Sequence, residues 1–220
     1  MERKPLTSPD KPSHGYEFAY RLAAEQLASI NDIQRQCQRS GAQYLDTRKA
    51  ITFDYLNRPY LVTLPDAKIS VMANKEEEVP LRDKILILHY LTVAKGTPLS
   101  GKLIAYKELP EGTNYFLTFY HRSIKPLADC FGNETHRLLA AAESLDGRKA
   151  DYGDAAVTVN AFPQVPMTLV LWRGDAEFTA EGNILFDSTI PDYLPVEDII
   201  VLSETIVRKL IKRYRAEVIQ

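Results

Sequence analysis

The chain is poor in the residues that usually announce a chemistry. It has two cysteines in 220 residues, Cys37 and Cys130. They stand too far apart for a Cys-x-x-Cys pair, which excludes a local metal or redox motif and leaves reduced thiols as the expectation. The four histidines, His14, His89, His121 and His136, never fall at the His-x-x-x-His spacing of a helical metal pair, so a zinc enzyme is not expected. There is no Gly-x-Ser-x-Gly elbow for a serine nucleophile. Nothing approaches the roughly 18 consecutive apolar residues of a membrane span, and Ile85-Leu86-Ile87-Leu88 is the strongest run. No apolar stretch follows the charged N-terminus, which speaks against a secretory signal and for a cytoplasmic location. Charge of one sign is lacking too. Lys plus Arg total 27 against 29 for Asp plus Glu, so the net field favours neither nucleic acid nor an anionic membrane as partner. The basic run Arg208 to Arg215 is read as the C-terminal end of a helix, where cations meet the negative pole of the macrodipole.

What is present is an ordinary globular balance, 45% hydrophobic and 25% charged, which calls for a packed core. Residues 1–15 are rich in proline and charge and are read as a flexible tail. One domain is expected over 16–216. Phe18, Leu22, Ile30, Ile33 and Cys37, widened by Ala23 and Leu27, form a helical stripe from Tyr16, closed by Ser40-Gly41. Ile51, Phe53 and Tyr55, then Tyr60, Val62 and Leu64, then Ile69 and Val71 alternate as an antiparallel meander. Pro80 opens a helix carrying Leu81, Ile85, Leu88 and Thr92 on one side. Asn133 is read as the cap of a helix to about Leu145. Ala156–Phe162, a near-continuously apolar Met167–Trp172 and Ile184–Phe186 read as strands, the second of them central. Pro195 opens the last helix, with Ile199, Leu202, Ile206, Leu210 and Tyr214 inward. Strands and helices come in blocks, so the expected class is α+β, mainly antiparallel sheet flanked by helices.

Several groupings could carry chemistry. Gly96-Thr97-Pro98-Leu99-Ser100-Gly101-Lys102 has the glycine and lysine spacing of a phosphate loop. Leu103 stands where a magnesium-binding hydroxyl is needed, and the segment follows a helix instead of a strand, so a connecting turn is the better reading. Asp175, Glu177 and Asp187 follow apolar strands and are expected to converge at one end of a sheet beside Trp172 and Tyr193. They would border a ligand pocket there, offer oxygen ligands to a hard cation such as calcium or magnesium, or supply a general base for a hydrolase or transferase; solvated turn carboxylates are the plainer alternative, and no metal site is expected. His89 is read as a half-buried, hydrogen-bonded side chain or a base. His121-Arg122, after Tyr115, Phe116, Phe119 and Tyr120, could contact an anion or planar ligand, against which stands simple core packing. Exposed aromatics over 115–120 would equally suit a protein-interaction surface, for example that of a homodimer. A small-molecule or cofactor-binding accessory role is the leading expectation, with no cofactor identified.

Two stretches together carry a resemblance. The first is Leu88-His89-Tyr90-Leu91 with Gly96-Thr97-Pro98-Leu99-Ser100-Gly101 and Leu109-Pro110. The second is Phe162-Pro163-Gln164-Val165-Pro166, Leu171-Trp172-Arg173-Gly174-Asp175-Ala176-Glu177-Phe178, Leu185-Phe186-Asp187 and Tyr193-Leu194-Pro195-Val196-Glu197-Asp198. From about Tyr16 to Leu210 the chain resembles an uncharacterised prokaryotic family, a domain of unknown function common in anaerobes. The resemblance implies no activity. It implies that Gly-Thr-Pro-Leu belongs to the family pattern while the lysine is not fixed in it. Relatives with a cysteine-rich iron–sulfur segment differ from this chain, which has only Cys37 and Cys130.

Overall fold

The computed structural model describes residues 14–218. The expected tail therefore lies outside the described residues except for His14 and Gly15, which already belong to the first helix. The stripe from Tyr16 to Cys37 is two helices, not one: α1 (His14–Ala28) and α2 (Ile33–Ser40). The break falls where turn-forming Asn31 and Asp32 compete with helix. Asp32 caps α2, its Oδ1 accepting the Arg35 amide at 2.9 Å. Gly41 ends α2 in the left-handed region, φ 68°, as the Ser40-Gly41 signal implies.

The meander forms as expected, with an extra strand in front. The strands are β1 (Gln43–Leu45), β2 (Ala50–Tyr55), β3 (Arg58–Thr63) and β4 (Lys68–Val71), antiparallel and in that order. Next comes α3 (Leu81–Val93), which is buried nearly all round, Asp83, Leu86, Ile87 and Tyr90 included. A one-sided stripe understates its place at the centre of the fold. Buried Gln36 ties α2 to it, its Nε2 donating to the carbonyls of Leu91, Thr92 and Ala94 that the end of α3 leaves open.

The second sheet contains β5 (Leu103–Ala105), β6 (Arg148–Ala150), β7 (Ala155–Phe162), β8 (Val165–Trp172) and β9 (Glu181–Asp187) in the order β5-β9-β8-β7-β6, all antiparallel. The apolar Met167–Trp172 run lies in β8, the middle strand, as read from its lack of alternation. Between β5 and β6 run α4 (Gly112–Phe119), a π-helical turn (Tyr120–Ile124), α5 (Lys125–Phe131) and α6 (Arg137–Ala142). Asn133 does not cap the last of these; the chain turns through 133–136 first and α6 begins at Arg137 with no side-chain cap. The long α7 (Val196–Val218) closes the fold.

One hydrophobic core joins both sheets. Phe162 is its hinge pin, stacked between Tyr55 at 4.8 Å and Tyr90 at 4.1 Å, and the Leu56 amide donates to the Ala161 carbonyl at 3.0 Å, bridging the sheets. The architecture is a single α+β domain of two antiparallel sheets with flanking helices, and among the described residues no helix is long and apolar enough to cross a membrane.

Candidate functional site

The register of the second sheet separates the three carboxylates expected to converge. Trp172 pairs with Glu181, so residues 173–180 form the hairpin at one end of β9, whereas Asp187 closes its other end. Seven residues of strand put about 20 Å between them. Asp175 and Glu177 share the hairpin with Trp172. Asp175 is spoken for locally, its Oδ1 accepting the amides of Phe178 and Glu177 at 2.8 Å each, which holds its carboxyl below the usual range.

Asp187 explains the phosphate-loop likeness. Its Oδ1 accepts the Ser100 amide (3.1 Å) and hydroxyl (2.9 Å) and the Thr189 amide (3.0 Å) and hydroxyl (2.7 Å), while Oδ2 accepts the Gly101 amide at 2.7 Å. The glycine-bounded loop does cradle an anion, but the anion is the protein's own. Burial alone would raise this carboxyl; the Thr189 and Ser100 bonds outweigh it and hold it at about 2. Nearby, Lys95 and Thr97 donate to Asp192, and the Tyr193 hydroxyl donates to the Thr97 carbonyl. Asp187 and Tyr193 thus fasten the 95–102 segment.

The other sequence candidates sit on helices. His89 Nδ1 meets Asp198 Oδ2 at 2.7 Å, joining α3 to the first turn of α7. The Asp198 bond raises the imidazole above its ordinary value against the opposing effect of burial. A raised folded value means that this pair contributes its full stability below about pH 6.5 and loses it as pH rises through the folded value. Urea denaturation at pH 6 and pH 8 should therefore show a drop on the order of 0.5–1 kcal/mol that His89→Gln removes; an unchanged drop in the variant would reject the assignment. Arg122, on the π-helical turn, reaches inward to Glu204 of α7, while His121 beside it is exposed.

A groove does exist, bounded by residues on both sides of the Trp172 hairpin. β5 pairs with β9 only at Leu103–Asp187, Ile104–Phe186 and Ala105–Leu185. After Ala105 the chain leaves the sheet in a 3-10 turn (Tyr106–Glu108), with Glu108 Oε2 accepting the Ala105 amide. Glu181, Gly182 and Asn183 therefore pair on the β8 side alone. Against this edge lies a groove of about 480 Å³, whose helical wall is Phe116, Tyr120, Ile124 and Ala128 and whose rim carries Lys107. Lys107 Nζ is 4.0 Å from the Phe116 ring centroid, a cation–π contact. Gly182 keeps the groove open: a Cβ there would come no nearer than 3.4 Å to Leu171 and 3.7 Å to Ala128, ordinary contact, so the space is not required by packing.

The hairpin that borders the groove is pinned. A Cβ on Gly132, at the end of α5, would fall 2.2 Å from the Ala180 Cβ, so hairpin and helix approach as only glycine allows. Past Ala128 and Ala180 a second recess of about 460 Å³ holds Asp129, Asn133, Asp175 and Glu177. A third, of about 340 Å³, lies under Trp172 and Phe178 and shares Thr179 and Glu181 with the main groove. Of the sequence candidates, Trp172, Asp175 and Glu177 thus border this system, while Asp187, Tyr193, His89 and Arg122 do not. Lys107, Gly182 and Asn183 were not singled out by sequence; the mismatch of a three-residue β5 with a seven-residue β9 is the signal that would have found them, and it is visible only once the two are paired.

The groove offers aromatic faces, one ammonium and an open backbone edge. Two of the three expected carboxylates are already held by backbone amides, which weakens them as general bases. Residues 32–209 match the family described as Domain of unknown function (DUF3786), a stretch that starts after α1 and ends within α7. No curated protein and no solved structure matches the chain.

Proposed function

Because the chain belongs to this family, whose description carries no activity, we propose from the groove itself that the protein is a binding module for a small organic molecule with a planar apolar body and an acidic substituent. The observation that carries the reading is the open edge of β9 at Gly182 facing Phe116 and Tyr120 across about 480 Å³. That volume falls in the range of small-molecule sites, which are mostly apolar with a few placed polar groups. The aromatic rings supply stacking area, the Lys107 ammonium pairs with the acidic substituent, and the backbone of Gly182 offers a donor and an acceptor to a polar ring edge. A cytoplasmic setting is part of this reading: Cys37 is buried, Cys130 half-buried, and both are free thiols.

The chain contains one tryptophan, Trp172, 43% exposed in the adjoining recess. It is a built-in reporter. Titration of planar aromatic acids should give a saturable change in its emission together with a rise in melting temperature. Gly182→Leu, which fills the groove from the β9 side, should weaken that binding at least tenfold, roughly 1.4 kcal/mol, without unfolding the protein. Binding of equal strength by Gly182→Leu, or no saturable response across such acids, would reject the site.

A further inference from the structure

A further groove of about 660 Å³ runs between α5 and α7 and shares Asp129 with the recess beside the hairpin. On the α7 side it is lined by Ile211 and Arg215; His121 and Lys125 face it from the π-helical turn and α5. Arg208 lies three residues before Ile211 and Arg215 four after it, so both guanidinium groups flank the same face of α7 about 10 Å apart along the axis. Arg122 and Arg208 both bond Glu204 and stand beside this groove, not among its lining residues.

The charges here do not balance. Arg82, Arg122 and Arg208 converge on the single carboxylate of Glu204, leaving two positive charges over. Lys125 and Asp129 neutralise each other at 2.7 Å, and Arg215 adds a further positive charge at the exposed end. In a chain of net charge −2, this is a local positive excess. Guanidinium groups drawn to one carboxylate repel each other, and a bound oxyanion with several acceptor oxygens would relieve that repulsion while using their remaining N–H donors. Arg208 bonds Glu204 through Nη2 and its side chain is 71% exposed, so its outer donors are open to solvent.

We propose that this groove and the face of α7 beside it form an anion site for a phosphate-bearing small molecule, its phosphate held between the exposed Arg208 and Arg215, with His121 and Lys125 at the margin. The site is independent of the groove beside Gly182.

The test uses the intact protein with inorganic phosphate and pyrophosphate as probes, each at ionic strength matched with chloride. Phosphate should broaden in its phosphorus resonance and raise the melting temperature saturably, and pyrophosphate, which can span Arg208 and Arg215, should bind at least tenfold tighter. Arg215→Glu, an exposed position, should leave the phosphate-free melting temperature within a degree or two and reduce affinity for both probes at least tenfold. Lys125→Glu is the companion variant should the first misfold, with a smaller loss expected. A stabilisation that matched chloride reproduces would be simple screening of the arginines and would overturn the proposal, as would affinities unchanged in a folded Arg215→Glu.

Discussion

Asp187→Ala should be among the most damaging single substitutions in this protein, lowering its stability by about 3–4 kcal/mol. The side chain is 4% exposed and accepts five hydrogen bonds. Bonds to a charged acceptor are the stronger kind, and removing the acceptor strands the donors of Ser100, Gly101 and Thr189 around an empty space. Asp187→Asn should cost less, about 2 kcal/mol, because its carbonyl can still serve the four donors at the Oδ1 position. Its amide would then confront the Gly101 N–H now 2.7 Å from Oδ2, donor against donor. For a chain of this size the alanine variant should melt roughly 10 °C lower. A loss under about 0.5 kcal/mol would mean that the 95–102 loop does not depend on this clamp.

The same clamp fixes a pH dependence. The folded carboxyl, held at about 2, lies below its ordinary value of 3.8. Its contribution is therefore present above the ordinary value and is lost as pH falls from there toward 2. Acid titration of the wild type should show this loss, and Asp187→Asn should flatten the curve between about pH 4 and 2 while leaving the neutral-pH slope from His89 in place.

Elements whose signal is local were legible in the sequence. The meander over 50–71 carries period-2 alternation with turn residues between its runs, and both its strands and its order follow from that. β8 reads as central because Thr168 is the one polar residue in the run Met167–Trp172. What depends on pairing was not legible. Asp175 and Asp187 look like neighbours, each just past an apolar run, until antiparallel pairing of β8 with β9 sends one to each end. The run from Tyr16 to Cys37 keeps a helical period across its break, because Asn31 and Asp32 interrupt the backbone without disturbing the spacing of apolar residues. His121-Arg122 was read as a pair facing one ligand. The π-helical turn divides their work, since Arg122 reaches inward to Glu204 while His121 stays exposed.

Glu204 was invisible in the sequence because it lies amid the polar residues of an amphipathic helix, yet it should be the second large loss. It is 3% exposed, and Oε2 accepts Arg82 Nη2 at 2.8 Å and Arg122 Nε at 2.7 Å, while Oε1 is 2.6 Å from Arg208 Nη2. Burial would raise this carboxyl; the bonds from Arg82 and Arg122 prevail and hold it below its ordinary value. One carboxylate therefore joins α3, the π-helical turn and α7. Glu204→Ala removes the anion and leaves three cations facing one another, which places the loss near the lower end of that for a broken buried pair, about 3 kcal/mol, since the arginines can partly rehydrate. Glu204→Gln keeps the shape and should cost about 2 kcal/mol, whereas Arg208→Ala, removing the most exposed partner, should cost under about 1 kcal/mol. Urea denaturation of the three variants ranks them, and a loss for Arg208→Ala as large as for Glu204→Ala would show that the network is not centred on the carboxylate. The same series bears on the α5–α7 groove. With the internal anion gone, Arg82, Arg122 and Arg208 lack their counter-charge, so inorganic phosphate should stabilise Glu204→Gln more than it stabilises the wild type; equal stabilisation would separate the arginine cluster from the anion site.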